Sequence, residues 1–301
     1  MRVSRTSLLA TASVAMLALF AGIAPLHADD VTFDRILHAE KNPGDWLTYH
    51  GSYQGWHHSA LNQINTQNVG QLKVAWMHQP GRATRGVQSM PMAADGVLYY
   101  SSSYSKVYAL DGATGEVRWA YTPQLDEDLV ARQTHSPYNR GMAMGNGNLY
   151  IGTVDGRLIA LDMKTGTPVW DTKLIDSQKL TVGFTGAPLF VKDKVIIGSQ
   201  GGEWPGRGPI FGVDAKTGEK KWEFRMTDVT DAGVLTTASD LLFSGGREGY
   251  FFALDARDGS LLWKSVVGGR VASGPMTYAV NGRQYVAVSA GNSLFVYALR
   301  Q

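Results

Sequence analysis

Four aspartates stand at the same position of a repeated phrase, and carboxylates in such number could perform acid–base chemistry. They are Asp111, Asp162, Asp214 and Asp255. Each follows a short apolar run and precedes a glycine by four residues. That pattern is typical of a hairpin turn in which the carboxylate accepts hydrogen bonds from backbone N–H groups. We therefore predict that these aspartates form turns and take no part in chemistry.

Several other chemistries are excluded or disfavoured by residue type and spacing. His57 and His58 are adjacent in a loop-like stretch, lack a usual metal-ligand spacing and are expected at the surface. The chain has no cysteine, which excludes disulfides, thiolate metal sites, a cysteine nucleophile and a lipid-modified cysteine. It also has no dinucleotide-binding glycine fingerprint and no P-loop.

The phrase that contains the aspartates defines a structural repeat. It has a small residue, then Asp two, Gly six and Trp ten residues later, and its copies are Ala109–Trp119, Ala160–Trp170, Gly212–Trp222 and Ala253–Trp263. The apolar start predicts a strand, and Asp with Gly predicts a tight turn that needs positive φ. The tryptophan on the next strand is suited to burial between neighbouring sheets.

Two further strands are predicted upstream of each phrase. They are short apolar runs separated by Gly and Asp turns, at residues 89–96 and 97–103, 141–147 and 149–156, 187–193 and 195–202, and 233–240 and 241–249. Four antiparallel strands for each repeat are typical of a propeller blade. The sequence therefore predicts an all-β protein, a β-propeller of about five four-stranded, tryptophan-docked blades.

The fifth blade is predicted to be divided between the two ends of the chain. Strands at residues 274–282, 284–291 and 293–300 lack the outer tryptophan strand, and the segment 69–79 around Trp76 has the form of that strand. Joining the two would close the ring and leave no free sheet edge. A linear stack of sheets is the alternative.

The first 28 residues have the layout of a secretory signal peptide. Arg2 and Arg5 precede an apolar run over residues 8–24, and Ala28 offers a small residue at the expected cleavage site. An uncleaved membrane anchor is the alternative. After cleavage, residues 29–301 would form one propeller domain, located in the periplasm, with no later segment able to span a membrane. The excess of 28 basic over 26 acidic residues would also disappear with the leader, so no nucleic-acid partner is expected.

Longer motifs resemble a known family. These motifs are 45–76 (DWLTYHGSYQGWHHSALNQINTQNVGQLKVAW), 87–100 (VQSMPMAADGVLYY), 138–144 (YNRGMAM), 148–162 (NLYIGTVDGRLIALD), 185–198 (TGAPLFVKDKVIIG), 201–208 (GGEWPGRG) and 282–291 (GRQYVAVSAG). They resemble pyrroloquinoline-quinone (PQQ)-dependent alcohol dehydrogenases from about Asp45 to about Ala290. Members of that family have about eight blades. After the third phrase, which continues over residues 222–231, the chain passes directly to a segment, 232–246, that resembles the family's penultimate blade. About three middle blades are therefore expected to be absent.

The resemblance implies the candidate site. Arg140 matches an arginine that binds the quinone, Thr185 matches a threonine that bonds a quinone carboxylate, and Glu203 matches the glutamate that binds calcium or a lanthanide. Backbone against the cofactor is implied at Gly201 and Gly202. An ion pair of Arg140 and Glu203 that only supports the fold is the alternative.

Other positions depart from the family. Gln88 replaces a quinone-contacting glutamate, His135 lies where many members have a vicinal disulfide, and Trp204 is a tryptophan outside the repeat. The family's catalytic aspartate, a calcium-binding asparagine and the tryptophan under the quinone belong to the absent blades, so no catalytic residue is assigned.

The resemblance implies a periplasmic PQQ-dependent dehydrogenase with calcium or a lanthanide. Its substrate would be a small alcohol, sugar or polyol, and electrons would pass to a cytochrome c or a quinone. The alternatives are a non-catalytic propeller that binds a protein in the cell envelope, and a truncated gene product.

Overall fold

Short hairpins that end at the repeated aspartates build most of the molecule. A computed structural model describes residues 30–81, 83, 86–125, 130, 137–176, 182–200, 208–228 and 230–299. The predicted leader, His135, Gly201, Gly202, Glu203 and Trp204 lie outside these residues. Within the described ranges, no helix is both long and apolar enough to cross a membrane.

Five antiparallel sheets follow one another along the chain. The first has β1 (Met92–Ala94), β2 (Val97–Ser102), β3 (Lys106–Asp111) and β4 (Val117–Tyr121). The second has β5 (Ala143–Gly145), β6 (Asn148–Gly152), β7 (Arg157–Asp162) and β8 (Pro168–Lys173). The third has β9 (Leu189–Val191), β10 (Lys194–Gly198), β11 (Pro209–Asp214) and β12 (Lys220–Arg225). The fourth has β13 (Leu235–Thr236), β14 (Leu241–Gly245), β15 (Tyr250–Asp255) and β16 (Leu261–Val266). The fifth has β17 (Met276–Val280), β18 (Arg283–Ala290) and β19 (Ser293–Tyr297). These sheets confirm the predicted all-β class.

The turn prediction for the aspartates is confirmed. Asp111 Oδ1 accepts hydrogen bonds from the backbone N–H groups of Ala113 (3.0 Å) and Thr114 (2.9 Å). Asp162 and Asp214 accept the equivalent pairs of bonds, and Asp255 accepts the one from Arg257. The carboxylates are therefore occupied by the backbone that follows them.

Three of the four phrase tryptophans pack on the turn of the next blade. The indole N–H of Trp119 donates to Met163 O (3.0 Å), that of Trp170 to Ala215 O (3.1 Å) and that of Trp222 to Ala256 O (3.0 Å). The turn glycine lies under the ring, and a Cβ added at Gly166 would come within 2.4 Å of Trp119. The glycine thus supplies both positive φ and room for the indole of the preceding blade.

The contact between the third and fourth blades has the same tryptophan dock, made by Trp222. The family resemblance implies further blades between these two, which this sequence lacks. The apolar core of the contact is one cluster, made by Ile196, Ile210, Trp222, Met226, Leu242, Phe252 and Leu254. The shortened chain therefore keeps an ordinary interface at this junction.

The fourth tryptophan departs from the prediction of a buried dock. Trp263 is 38% exposed and packs edge-on against Tyr297, with ring centroids 4.9 Å apart. A groove of about 970 Å³ lies beside it, lined also by Phe243, Phe251 and Leu299. At the position of the turn-forming aspartate the fifth blade has Arg300, which lies outside the described residues.

The predicted closure of the ring is not formed among the described residues. The fifth sheet has three strands, and residues 73–80 belong to none of the sheets described. Trp76 nevertheless docks as the outer-strand tryptophans do: its indole N–H donates to Gly112 O, on the turn of the first blade, at 3.2 Å. The outer edge of β19 has no strand of the described residues beside it.

An N-terminal segment that the sequence did not reveal lies over the inner strands. It contains α1 (Phe33–Leu37), and short 3-10 turns are found at Ala39–Lys41, Val69–Gln71 and Ser103–Ser105. Arg35 binds Asp45 and Asp95, each at 2.7 Å, and Trp46 forms an antiparallel bridge with Ala93 next to it. The segment is thereby attached to the first blade.

Candidate functional site

Arg140 and Thr185 lie side by side where the chain enters the inner strands β5 and β9. The Arg140 Nη1 group donates to Thr185 Oγ1 at 3.0 Å, and the Arg140 backbone N–H donates to Thr185 O at 2.9 Å. The guanidinium also lies over the ring of Tyr138, 4.4 Å from its centroid. The fold therefore brings together two residues that only the family resemblance had linked.

A buried amide fixes the backbone on both sides of Arg140. Asn139 Oδ1 accepts from Ser101 Oγ (2.6 Å) and from the Gly141 N–H (3.0 Å), and its Nδ2 donates to Gly152 O (3.1 Å). Asn139 is almost fully buried, so these bonds are shielded from water. The sequence signal that could have pointed to it is its place beside Arg140 in the YNRGMAM motif.

The segment that contains Gln88 is held at the same end of the first blade by hydrogen bonds of the neighbouring Ser89. The Ser89 hydroxyl donates to Ser101 O (2.7 Å) and accepts from the Ser101 N–H (3.1 Å). Ser101 in turn bonds Asn139. Gln88 itself is exposed, so the structure places its segment near the candidate site without showing a contact to Arg140.

The Arg140 side chain is exposed and carries its charge beside a neutral hydroxyl. No ion pair joins it to a carboxylate of the described residues. A guanidinium in this state is suited to binding a carboxylate in a bidentate manner. Because Thr185 Oγ1 accepts from Arg140, its own proton can be donated to the same anion. The pair fits the carboxylate edge of a small acidic molecule.

A metal centre is not formed by the described part of the chain. No group of three or more His, Asp or Glu side chains converges there. A calcium or lanthanide ion takes many hard oxygen ligands, so the described residues alone do not provide a site for such an ion. His57 and His58 are exposed, as expected; His57 contacts His50, whose pKa is lowered by burial and by the nearby His57.

An apolar cavity of about 370 Å³ lies between the N-terminal segment and the inner strands. Its lining includes Tyr49, Met142, Met144, Phe190 and Leu235. Tyr49 also lies against Gly141, where an added Cβ would come within 3.6 Å of its ring. The cavity thus adjoins the strand that begins at the candidate anion site.

The comparisons with known proteins agree with this architecture. Residues 46–232 and 225–286 match the model of the PQQ glucose/ethanol/alcohol dehydrogenase β-propeller domain. The two matches meet at the junction of the third and fourth blades, where the middle blades were expected to be absent.

Two relatives and two solved structures show the extent of the likeness. The dehydrogenase subunit of alcohol dehydrogenase (quinone) from Gluconacetobacter polyoxogenes is 40% identical over 71% of this chain and 30% of its own length. The lanthanide-dependent methanol dehydrogenase of Methylacidiphilum fumariolicum is 40% identical over 63% of this chain and 31% of its own.

The quinohemoprotein alcohol dehydrogenase of Comamonas testosteroni superposes with a TM-score of 0.74 at 29% identity, over 89% of this chain and 49% of that one. A europium-containing methanol dehydrogenase gives 0.71 at 27% identity, over 85% and 56%. This chain spans about 30% of the length of the curated relatives. It belongs to the PQQ glucose/ethanol/alcohol dehydrogenase β-propeller family, as a shortened form.

Proposed function

We propose that the exported chain binds PQQ and acts as a dehydrogenase of small alcohols, sugars or polyols in the periplasm. Electrons would pass to a cytochrome c or a quinone. The observation that carries the proposal is the pair of Arg140 and Thr185, held by buried Asn139 at the inner-strand end of a family propeller. Bound PQQ would supply the hydride acceptor for the alcohol carbon.

The residues of this chain would bind and orient that group. Arg140 would pair with a carboxylate of the cofactor, and the Thr185 hydroxyl would donate to the same edge. The family resemblance adds Gln88, His135, Gly201, Gly202 and Trp204 as neighbours of the cofactor and Glu203 as a ligand of calcium or a lanthanide. The proton-abstracting aspartate of the family belongs to the absent blades, so we expect binding to be better retained than turnover.

The test is equilibrium binding of PQQ to the purified mature chain, with calcium or lanthanum, followed by absorbance. Arg140→Ala should weaken binding at least tenfold, because a charge-assisted hydrogen bond contributes about 1.5–3 kcal/mol. Arg225→Ala, which removes an exposed arginine from the outer strand β12, is the matched control and should bind normally. Dye reduction with primary alcohols measures turnover, and the mass of the mature chain should place its N-terminus at Asp29.

A non-catalytic propeller that binds a protein in the cell envelope is the second candidate. It is favoured by the direct passage of the chain from the third to the fourth blade, since the family's proton-abstracting aspartate belongs to the blades that would lie between them. If the wild-type chain binds no PQQ with either metal, the dehydrogenase proposal is wrong and the second candidate is the one to test.

A further inference from the structure

The chain contains the two parts of one blade at opposite ends of its array of sheets. The fifth sheet has the first three strands of a blade, and β19 is its open edge. The other part is the segment 73–80, which lies outside every sheet of the described structure. It is an outer strand without a blade, because its Trp76 docks on the first blade through the same indole bond that Trp119 and Trp170 make to theirs.

The four complete blades define how the two parts should pair. In each, the small residue that begins the phrase lies opposite the tryptophan, as in Ala109↔Trp119 and Ala253↔Trp263. The next residue lies opposite the one two places before the tryptophan, as in Leu110↔Val117. In the fifth blade the residues YAL at 297–299 occupy the phrase positions. The register therefore places Ala298 opposite Trp76, and Leu299 opposite Val74.

Within one chain these two edges do not meet. Val74 is 85% exposed, Leu299 is 89% exposed and Leu294, on β19, is 69% exposed. The chain also superposes on a longer family member, over 89% of its own length and 49% of that chain, with a TM-score of 0.74. Its blades are therefore arranged as in part of a longer family member.

We propose that β19 of one copy pairs with residues 74–78 of a second copy, so that the two chains together complete a four-stranded blade. An open edge of backbone N–H and C=O groups is a template for such pairing. The partner is a second copy because this chain carries both the edge and the strand whose register fits it. The contact joins two different surfaces, so it is a head-to-tail contact. The assembly adds further copies as the protein concentration rises, unless the rotation between copies closes a ring.

The absence of cysteine makes a direct test possible. Purified Val74→Cys and Leu299→Cys chains are mixed under mild oxidation and run on a non-reducing gel. Both positions are highly exposed, so neither substitution should affect folding. We expect a disulfide dimer in the mixture at least tenfold faster than in a matched mixture of Val266→Cys with Leu299→Cys, since Val266 is also exposed but lies on β16.

Two results would overturn the proposal. One is an equal rate in the two mixtures. The other is a double variant, Val74→Cys with Leu299→Cys, that gives only an internally linked monomer, since that would show closure of the ring within one chain. Light scattering of the wild-type chain should independently show a mass above that of the monomer that increases with concentration; a constant monomer mass would also contradict the pairing.

Discussion

Asn139 determines where Arg140 sits, although the family resemblance supplied Arg140 and not Asn139. Arg140 and Thr185 could be predicted because each stands inside a recognisable motif. The role of Asn139 could not, since its partners Ser101 and Gly152 lie 38 and 13 residues away and only the folded blades bring them together. Local sequence identifies the residues of a site more readily than the residues that hold them.

Asn139→Ala tests this dependence. The substitution leaves the Ser101 hydroxyl and the Gly141 N–H without their partner, whereas the Gly152 carbonyl keeps a bond from Ser105 Oγ. A buried group left unpaired costs about 1–3 kcal/mol. We expect a loss of about 3 kcal/mol in the free energy of unfolding, measured by urea titration, together with weaker PQQ binding. Asn292→Ala, at an exposed hairpin position, is the control and should change neither. Equal stability of the two variants would contradict the assigned role.

At the scale of elements, the hairpins were predictable and their partners were not. Fixed spacing of Asp and Gly within one phrase determines a turn, because the hydrogen bonds involved are local. The same spacing contains nothing about the tryptophan of the preceding blade, which lies about 40 to 50 residues away and occupies the space above the glycine. Helix α1 was missed for a related reason, since five residues are too few to show helical periodicity.

The double role of the turn glycine can be separated by two substitutions. Gly166 (φ +72°) and Gly268 (φ +64°) share a left-handed backbone, but only Gly166 has an indole above it, whereas nothing lies within 4 Å of an added Cβ at Gly268. Gly268→Ala should cost about 1 kcal/mol of unfolding free energy from backbone strain alone. Gly166→Ala should cost about 3 kcal/mol or more, because the Trp119 dock must also open. Similar losses in chemical denaturation would contradict the second role.

The turn carboxylates give the blades a defined response to acid. Hydrogen bonds from Arg118 and from the backbone N–H groups of Thr114 and Ala113 lower the pKa of Asp111 to about 2. The unfolded chain, with its ordinary value of 3.8, binds the proton more readily, so the contribution is present above about pH 4 and is lost as the pH falls toward 2. Asp111→Asn should therefore flatten the fall of stability across that range in urea titrations. The same fall in the Asp111→Asn chain as in the wild-type chain would contradict this role of the turn.

At the scale of the whole molecule, repetition predicted the blades and the family resemblance predicted the missing ones. Closure of the ring was the prediction that the described structure does not reproduce. It depended on counting strands, and a count does not specify the angle between neighbouring blades. That angle follows from side-chain packing at each interface, and the chain as a whole superposes on a longer family member. Two complementary edges can therefore exist in one chain without meeting.

The tryptophan dock has a further consequence for how such a chain can change. The contacts share one indole, one glycine and one carbonyl, so a blade can accept a different neighbour that carries the phrase and a matching apolar face. The shared part of the contact does not encode the order of the blades. A protein of this kind behaves as a one-dimensional array whose stability is a sum of units and nearest-neighbour terms. Loss of a whole number of units in the gene leaves the shared dock at every remaining interface, whereas loss of half a unit would leave a tryptophan without the turn on which it packs.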